Sequence, residues 1–323
     1  MRTIFCSVIL STLTTTAALA WSHEGHEVVG DVALKHLNQT ASNAVMAIIL
    51  NTSKVAEVTN ILGAATWSDD IRPNGVFHST TAAQDFTTRF PDHTAWHFDD
   101  YPLEGVTYSP NGPFSKPNDA VHQINHCIDV LEGKTNDLNS KEALAWLVHL
   151  VGDLHQPMHA ACGFYTFGRR KKITLHKTLS DPHTEFSDAG GNGLELTGAS
   201  TTTFHHFWDQ DMVEANSSSE TTLATMIEAQ MTTLTFTPNS GPIRDWAANW
   251  LNDSLKVADT IYLDASHNKG TKGTDKHDPL QPTVTVHVAI DPGYKGNHKT
   301  DALNQLTKAA HNLADMLNGI QWQ

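Results

Sequence analysis

The chain has 323 residues and a formal net charge of −14, with three cysteines and twenty histidines. This acidic balance argues against a broad basic groove for polyanions, although bound divalent cations can add local positive charge that a count of side chains misses. The length fits one large domain or two small ones, and no Pro/Ser-rich linker, charge block or repeat divides the sequence, so we expect a single domain.

The first twenty residues have the pattern of a signal peptide. Arg2 gives a short positive start, Ile4–Leu13 is mostly apolar, and Ala18–Ala20 forms an A-x-A cleavage site. The apolar run is too short to span a bilayer as a helix, and no later run of about 18 apolar residues occurs. We therefore expect a mature domain of residues 21–323 that begins at Trp21, is secreted or periplasmic, and has no stable membrane association.

Apolar residues at helical spacing predict helices joined by loops of uneven length. The predicted helices are Gly25–Leu37, Ala41–Leu50, Ser53–Leu62, Ala120–Leu131, Lys141–His155, Thr201–Ala215, Glu220–Leu234, Ile243–Tyr262 and Asp301–Ile320. Strand-like alternation is rare, and its best example, Thr283–Ile290, predicts a short hairpin or an edge strand. The predicted long loops are Asn74–Trp96, Tyr101–Asp119, Gly163–Gly193 and Asp264–Lys299. The pattern predicts an all-α fold: one mainly helical domain with long functional loops.

Two His-x-x-x-Asp pairs are the strongest chemical signal. The first lies in Leu147–Ala160, LVHLVGDLHQPMHA, where His149 and Asp153 are four residues apart, and His155 and His159 repeat this spacing. The second lies in FHHFWD and contains His205 and Asp209. Residues four apart lie on one face of a helix, and imidazole and carboxylate are ligands that zinc prefers. The pairs therefore predict a metal site.

Further histidines and aspartates occur in distinctive short motifs and extend this candidate site. They are His26 in WSHEGH, Asp69 or Asp70 in TWSDDIR, His97 in AWHFDD, and His159. Together with the two pairs they make eight side chains, which is enough for more than one ion. The α-amino group created at Trp21 is also a metal ligand when neutral, and its pKa near 8 makes this feasible.

These residues resemble the zinc-dependent S1/P1 nucleases, a family of exported enzymes. The resemblance covers nearly the whole mature chain, because the motifs W-x-x-x-G-H, W-x-D, H-F/Y-x-D, H-x-x-x-D-x-H-Q-P-x-H, D-x-G-G-N and L/F-H-x-x-W-D occur in this order. It implies three Zn²⁺ ions. Their ligands would be Asp69, His97, His149 and Asp153 for the first, His159, His205 and Asp209 for the second, and Trp21, His26 and Asp153 for the third.

The resemblance also implies a substrate and residues that bind it. Phe98 would stack on a base, Asp100 and Asn192 would face the base or the scissile region, and Arg72 would support the phosphate or Asp100. Asp153 would bridge two ions in catalysis. Zinc clusters activate water and stabilise charge on phosphorus, and a duplex hides the base faces on which an aromatic ring stacks. We therefore expect hydrolysis of single-stranded DNA and RNA to 5′-nucleotides, with 3′-nucleotidase activity.

The chain departs from the family pattern between His159 and Gly190, where an extra stretch carries the basic run Arg169–Lys172. This run is either a solvated loop or a basic surface that guides the nucleic-acid strand. An exported chain permits Cys127 and Cys162 to pair. Sequons occur at Asn38, Asn51, Asn216 and Asn252. The motifs favour Asp69 over Asp70, and Asp100 over Asp99, as the functional carboxylates.

Two other functions stay open at this point. A zinc phospholipase C has a similar trinuclear site and a mature N-terminal Trp, but Phe98, Asp100 and the D-x-G-G-N segment favour the nuclease. A non-catalytic zinc-sequestering protein would explain the many histidines, yet it would not require carboxylates at every ion. We expect the enzyme to act as a monomer.

Overall fold

Helices form most of the structure, a computed structural model that describes residues 21–51, 53–199, 201–217 and 219–323; the predicted signal peptide lies outside the described residues. The helices are α1 (His23–Lys35), α2 (Gln39–Leu50), α3 (Ile61–Asp70), α4 (Thr81–Arg89), α5 (Ala120–Leu131), α6 (Ser140–His155), α7 (Pro157–Ala160), α8 (Phe204–His206), α9 (Met212–Glu214), α10 (Glu220–Met231), α11 (Trp246–Ile261) and α12 (Tyr294–Gly319). A π-helical segment, Phe207–Asp211, joins α8 to α9.

The strands are short and come mainly from the second half of the chain. They are β1 (Tyr101–Pro102), β2 (Ala161–Cys162), β3 (Phe164–Phe167), β4 (Ile173–His176), β5 (Phe186–Ser187), β6 (Leu194–Thr197), β7 (Gly270–Thr274) and β8 (Pro282–Ala289). β1 and β2 form a parallel pair. The other six strands form a mixed sheet in the order β4-β3-β5-β8-β6, in which β7 pairs with β8.

The helix α6 is the centre of the fold and carries part of the candidate site. It begins with a capping box, in which the Asn139 side chain accepts the backbone N–H of Glu142 and the Glu142 carboxylate accepts that of Asn139. Every residue from Lys141 to His155 is buried, as expected for a helix that neighbours surround. The helices α3, α5, α11 and α12 pack around it. Its candidate metal ligands therefore lie in the buried interior of the protein.

The helical predictions hold for most segments, with one clear error. The segment predicted as a helix at Ser53–Leu62 is mostly turn and bend, and the helix α3 begins only at Ile61. The side chain of Asn60 accepts the N–H of Gly63 at 2.8 Å, so this residue caps a helix that starts after it. The predicted loop Asn74–Trp96 likewise contains the helix α4.

The sheet shows that the all-α prediction was too narrow, although the chain is mainly helical. Two segments predicted as loops, Gly163–Gly193 and Asp264–Lys299, contain β3, β4, β5, β7 and β8. The predicted hairpin at Thr283–Ile290 is present as β7 with β8, but β8 is not an edge strand, because β5 and β6 also pair with it. Alternate residues of β8 are buried, which is the period of a strand with one covered face.

Two further predictions concern cysteines and membranes. Cys127 and Cys162 are both buried free thiols, so the pairing that the sequence permitted is not formed. Among the helices of the described chain, none combines the length and the apolar character that a bilayer crossing needs.

Candidate metal centre

Histidines and aspartates from six parts of the chain converge beside the C-terminal half of α6. The helix itself supplies His149 and Asp153, and five other segments supply the remaining side chains: His26 from α1, Asp69 from α3, His97 from the loop before β1, His159 from α7, and His205 with Asp209 from the region α8 to α9. Their ligand atoms form three groups, namely Asp69/His97/His149, His159/His205/Asp209 and His26/His149/Asp153. All eight predicted side chains are buried and contribute to a group.

The first group surrounds one point between α3 and α6. Nδ1 of His97 lies 3.0 Å from Nε2 of His149 and 2.9 Å from Oδ2 of Asp153. Oδ1 of Asp69 completes the group at 3.9 Å from His97 and 3.8 Å from His149. Two imidazole nitrogens with converging lone pairs repel each other unless a cation or a proton lies between them. The arrangement is therefore that of a cation site.

The second group lies where the π-helical segment follows α8. Nε2 of His159 and Nε2 of His205 are 3.0 Å apart, and the carboxylate of Asp209 lies 3.9 Å from the first and 3.6 Å from the second. Gln156 donates its side-chain amide to Oδ1 of Asp209 at 2.6 Å. Segments of π-helix often occur at functional sites, and here the segment carries a ligand candidate.

The third group shares His149 with the first, and its Asp153 carboxylate also faces the histidines of the first. Nε2 of His26 lies 3.2 Å from Oδ1 of Asp153, whereas Oδ2 of the same carboxylate faces His97 and His149. The His26 ring stacks on His149 with centroids 4.0 Å apart. Gly152 permits this approach, because a Cβ there would lie 2.7 Å from Nδ1 of His26. Asp153 can therefore bridge two cations through its two oxygens.

Trp21 is anchored at the same place. Its buried indole Nε1 donates to the carbonyl oxygen of Gly152 at 3.0 Å, next to Asp153 in the chain. The following N–H, that of Ser22, donates to the carbonyl oxygen of Asp209 at 2.7 Å. The main chain at Trp21 is thus held between two candidate ligands.

Backbone carbonyls fix the orientation of three histidines. The Nδ1–H of His149 donates to Ala65 at 2.8 Å, that of His159 to His97 at 2.7 Å, and that of His205 to Gly190 at 2.7 Å. Each bond selects the tautomer whose Nε2 carries a lone pair toward the centre. Hydrogen bonds of this kind are the usual support of metal-binding histidines.

Burial and neighbouring charges shift the pKa values of the histidines in the first and third groups. Burial lowers the pKa of His97 to about 3, and burial with the neighbouring His149 lowers that of His26 to about 4. Although burial opposes it, the carboxylates of Asp153 and Asp69 raise the pKa of His149 to about 9. The two carboxylates thus favour a positive charge at this point. A bound cation would supply that charge in place of a proton.

The residues fit a cluster of divalent cations. Buried carboxylate oxygens of Asp69, Asp153 and Asp209 have no hydrogen-bond partner among the described residues, and leaving such groups unpaired in the interior is costly. The donor set mixes imidazole nitrogens with carboxylate oxygens, which suits zinc better than magnesium or calcium.

Of the residues that the resemblance assigns to the substrate, Arg72 touches a ligand candidate of this cluster. The guanidinium of Arg72 donates to Oδ1 of Asp69 at 3.1 Å, so Arg72 contacts a ligand candidate. Phe98 is half-buried rather than part of the core. Asn192 is exposed and donates to the carbonyl oxygen of Ala189 at 2.9 Å.

Asp100 adopts a left-handed backbone conformation with φ of 55°. Burial raises the pKa of its carboxyl to about 7, Lys116 opposes this shift, and Asp275 and Asp188 add to it. Near neutral pH this group can therefore donate or accept a hydrogen bond.

Asp70, Asp99 and His155, for which the sequence allowed more than one role, belong to none of the three groups. Asp70 faces His23 at 3.3 Å and does not join any of the three groups. Asp99 is buried beside Asp119. His155 does not share a face with His159, because Pro157 begins the new helix α7; its ring donates to the carbonyl oxygen of Val151 and accepts from Asn312 of α12.

Three features of the site were missed by the sequence reasoning. They are Gln156, which orients Asp209; Asp188, which organises the loop before Asn192; and the tip of the β7–β8 hairpin. The Asp188 carboxylate accepts the N–H groups of Gly163 and Gly191 and the hydroxyl of Tyr262. The motifs H-Q-P and D-x-G-G-N could have indicated the first two. No local signal indicated the third.

We predict that Gly190→Ala weakens metal binding by the second group. Gly190 has φ of 60°, and a Cβ there would collide with the carbonyl oxygen of Met158. The loop would have to shift and displace the carbonyl that orients His205. Loss of such supporting bonds typically weakens metal affinity about 10–100-fold. Metal titration of the purified variant measures the effect.

Gly198→Ala is the matched control. Gly198 also has positive φ, 85°, but nothing lies within 4 Å of a Cβ there. This variant therefore incurs the backbone cost of about 1–2 kcal/mol alone and should bind metal normally. Equal metal affinities of the two variants would contradict the role assigned to the Gly190 carbonyl.

Comparison with known proteins agrees with this geometry. A statistical model described as "S1/P1 Nuclease" matches residues 21–321. Nuclease S1 of Aspergillus oryzae is 26% identical over 196 residues, which cover 60% of this chain and 55% of that protein. Endonuclease 2 of Arabidopsis thaliana is 22% identical over 88% of this chain and 80% of its own length. Endonuclease 4 of the same plant is 22% identical over 73% and 70%.

The family match covers both the helices and the sheet, and it spans all eight side chains of the three groups together with Trp21. It confirms the resemblance that the order of the motifs indicated. The chain belongs to the S1/P1 nuclease family, and it is a hydrolase that acts on ester bonds.

Proposed function

We propose that this protein is a trinuclear zinc enzyme that hydrolyses single-stranded DNA and RNA to 5′-nucleotides and removes phosphate from 3′-nucleotides. The observation that carries the proposal is the convergence of three His/Asp groups, two of which meet at the carboxylate of Asp153. Phe98, whose ring is half-buried, directly follows the ligand candidate His97 in the chain. The names of the relatives, Nuclease S1 and several endonucleases, support the substrate class. A location outside the cytoplasm, after cleavage behind Ala20, is part of the same proposal.

The residues would hold three ions in the sets that the resemblance implies. Asp69, His97, His149 and Asp153 would hold the first, His159, His205 and Asp209 the second, and Trp21, His26 and Asp153 the third. When bound, zinc would supply activated water and positive charge around the phosphate.

The chain's own residues would position the substrate against this centre. Phe98 offers a ring face on which an unpaired base stacks, and Asp100 and Asn192 supply hydrogen-bonding groups beside it. Arg72, held by Asp69, adds a fixed positive charge next to the cluster, where a phosphate oxygen would gain from it. A paired base hides the face that Phe98 needs, so single strands would be preferred.

One assay tests the proposal as a whole. Purified protein that begins at Trp21 should contain three zinc ions per molecule and should turn over single-stranded DNA, RNA and 3′-AMP. Phosphatidylcholine serves as the comparison substrate. Hydrolysis of this lipid without cleavage of denatured DNA would overturn the nuclease proposal.

We predict that Phe98→Ala weakens nucleotide binding while zinc content stays intact. Stacking of one base on an aromatic ring contributes roughly 1–3 kcal/mol, so KM for single-stranded DNA and for 3′-AMP should rise by about five-fold or more. Phe236→Ala is the matched control, because Phe236 is likewise half-buried and aromatic, stacks on His311 with ring centroids 3.8 Å apart, and belongs to none of the three groups. If Phe98→Ala lowers thermal stability and leaves KM unchanged, Phe98 is a packing residue only.

A further inference from the structure

The tip of the β7–β8 hairpin reaches the rim of the metal centre. This hairpin tip, Asp275–Asp278, follows β7 directly and lies in a segment that the sequence predicted as a loop. The His277 ring contacts Phe98, with centroids 5.7 Å apart and planes inclined at 56°. Asp275 lies close enough to Asp100 for its charge to raise the pKa of that carboxyl. The hairpin tip is thus part of the surface that a substrate on Phe98 would meet.

The hairpin tip is held in a defined conformation. The Asp275 carboxylate accepts the N–H groups of His277 at 2.7 Å and of Asp278 at 3.0 Å. The Asp278 carboxylate accepts a hydrogen bond from His183 at 3.2 Å and lies 3.8 Å from the Lys116 amine. Two other loops therefore anchor the tip from outside the hairpin. A fixed loop can place its side chains with little ordering cost on binding.

Several positively charged or protonatable side chains lie around the hairpin tip. Partial burial and the nearby charge of Arg72 lower the pKa of the Lys276 amine. Burial, Lys276, Arg72 and Lys116 all lower the pKa of His277, against the attraction of Asp275. Four cationic or protonatable groups thus act on one another here, although Asp69 pairs with Arg72, Asp278 lies near Lys116, and the charge of Asp275 acts on Lys276 and His277. Their mutual repulsion would be relieved by an anion bound among them.

We propose that the hairpin tip is a second contact for the nucleic acid: Lys276 binds a backbone phosphate next to the one that is hydrolysed, and His277 positions Phe98 for stacking. This inference rests on the proposed function. Arg72 contacts Asp69, a ligand of the first ion in the proposed function, whereas Lys276 lies on the hairpin tip next to His277, the residue that contacts Phe98. The ligand of Lys276 is therefore the neighbouring phosphodiester of a strand, which a mononucleotide lacks.

Lys276→Gln tests the phosphate contact, with Lys269→Gln as the matched control. Lys269 is exposed and precedes β7 at the other end of the same hairpin, roughly 20 Å away at the rise of a strand. Both metal-loaded variants are assayed on 3′-AMP and on a single-stranded oligonucleotide. Relative to wild type, Lys276→Gln should lose about three- to five-fold more kcat/KM on the oligonucleotide than on 3′-AMP, the effect of one exposed ion pair. Lys269→Gln should lose none.

Salt dependence gives a second readout. Binding of a slowly hydrolysed phosphorothioate oligonucleotide is followed by fluorescence anisotropy at several salt concentrations. Each phosphate contact to a single strand contributes about 0.7 to the slope of log K against log salt, so Lys276→Gln should make the slope shallower by about that amount. An unchanged slope, an equal loss on both substrates, or an equal effect of Lys269→Gln would overturn the contact. If the wild-type protein leaves single-stranded DNA intact, the proposed function itself fails.

The positioning role of His277 is tested with two substitutions. His277→Ala should raise KM for 3′-AMP, with kcat and zinc content close to wild type, because Phe98 loses its neighbouring ring. His277→Phe keeps a ring and should restore KM. The control is His287→Ala in β8, whose side chain is 76% exposed and contacts Glu195. Unchanged KM in His277→Ala, or no rescue by Phe, would overturn this role.

Discussion

Asp153→Asn should remove more than one zinc ion per molecule and nearly all activity. The two oxygens of Asp153 face different groups, with Oδ1 3.2 Å from His26 and Oδ2 2.9 Å from His97. An amide is neutral, its nitrogen has no lone pair to offer a metal, and its single oxygen can serve only one ion. One site therefore loses a ligand atom, and both sites lose the negative charge that holds their cations. Ion clusters supply several kcal/mol of transition-state stabilisation, so turnover should fall by about a thousand-fold or more. Elemental analysis with assays on single-stranded DNA measures both effects.

Asp70→Asn is the matched control for this variant. Asp70 is also a buried aspartate near the cluster, but its carboxylate contacts His23 at 3.3 Å and belongs to none of the three groups. Zinc content and turnover should stay near those of the wild type. Circular dichroism of both variants separates loss of metal from loss of fold. Full zinc content in Asp153→Asn would contradict the bridging assignment.

The part of the site that lies on helices could be predicted from the sequence. His149 and Asp153 are four residues apart within α6, and the helix converts this spacing directly into proximity. His205 and Asp209 obey the same rule although a π-helical segment intervenes. The apolar residues at helical spacing around His149 and Asp153 correctly predicted the helix α6. Local periodicity was sufficient here because one element carries both ligands.

The same spacing was misleading where the helix ends. His155 and His159 are also four residues apart, but Pro157 begins a new helix between them, so their rings point to different neighbours. Whether a histidine binds a metal ion or a buried amide depends on which residues the tertiary structure places next to its ring. For His155 that partner is Asn312, more than 150 residues later in the sequence, and spacing contains no information on it.

The sheet and the hairpin tip could not be predicted for a related reason. β7 has the sequence GTKGT, which lacks the alternation of apolar residues that identifies a strand. It pairs with β8, which lies far along the chain from the other strands of the sheet. Other loops anchor the tip through Asp278. Such contacts join segments far apart in sequence. They depend on the tertiary structure and leave no pattern in the local sequence.

The N-terminus provides the second large expected effect. Trp21 is buried, and its neighbours Gly152 and Asp209 hold it beside the third and second groups. In the proposed function its α-amine and carbonyl oxygen would complete the third zinc site with His26 and Asp153. That amine exists only if the chain is cleaved behind Ala20. Before cleavage the same nitrogen is an amide, whose lone pair is delocalised into the carbonyl group.

Processing and catalysis should therefore be coupled. A recombinant protein that retains one extra Met before Trp21 should bind fewer zinc ions and turn over single-stranded DNA poorly, while its circular dichroism matches that of the processed form. The processed form, released by a protease that leaves Trp21 first, is the control. Such coupling would keep the nuclease inactive inside the cell that makes it.

The pH dependence distinguishes an amine ligand from a general loss of affinity. A free α-amine has a pKa near 8, and metal binding must displace its proton. As pH falls below that value, protons compete more strongly for the amine, so the third zinc ion of the processed form should leave before the others. The Met-extended form lacks this ion from the start and should show no such early step in a zinc titration between neutral and mildly acidic pH. If the extended and processed forms have the same zinc content and the same rate at every pH, Trp21 is not a ligand.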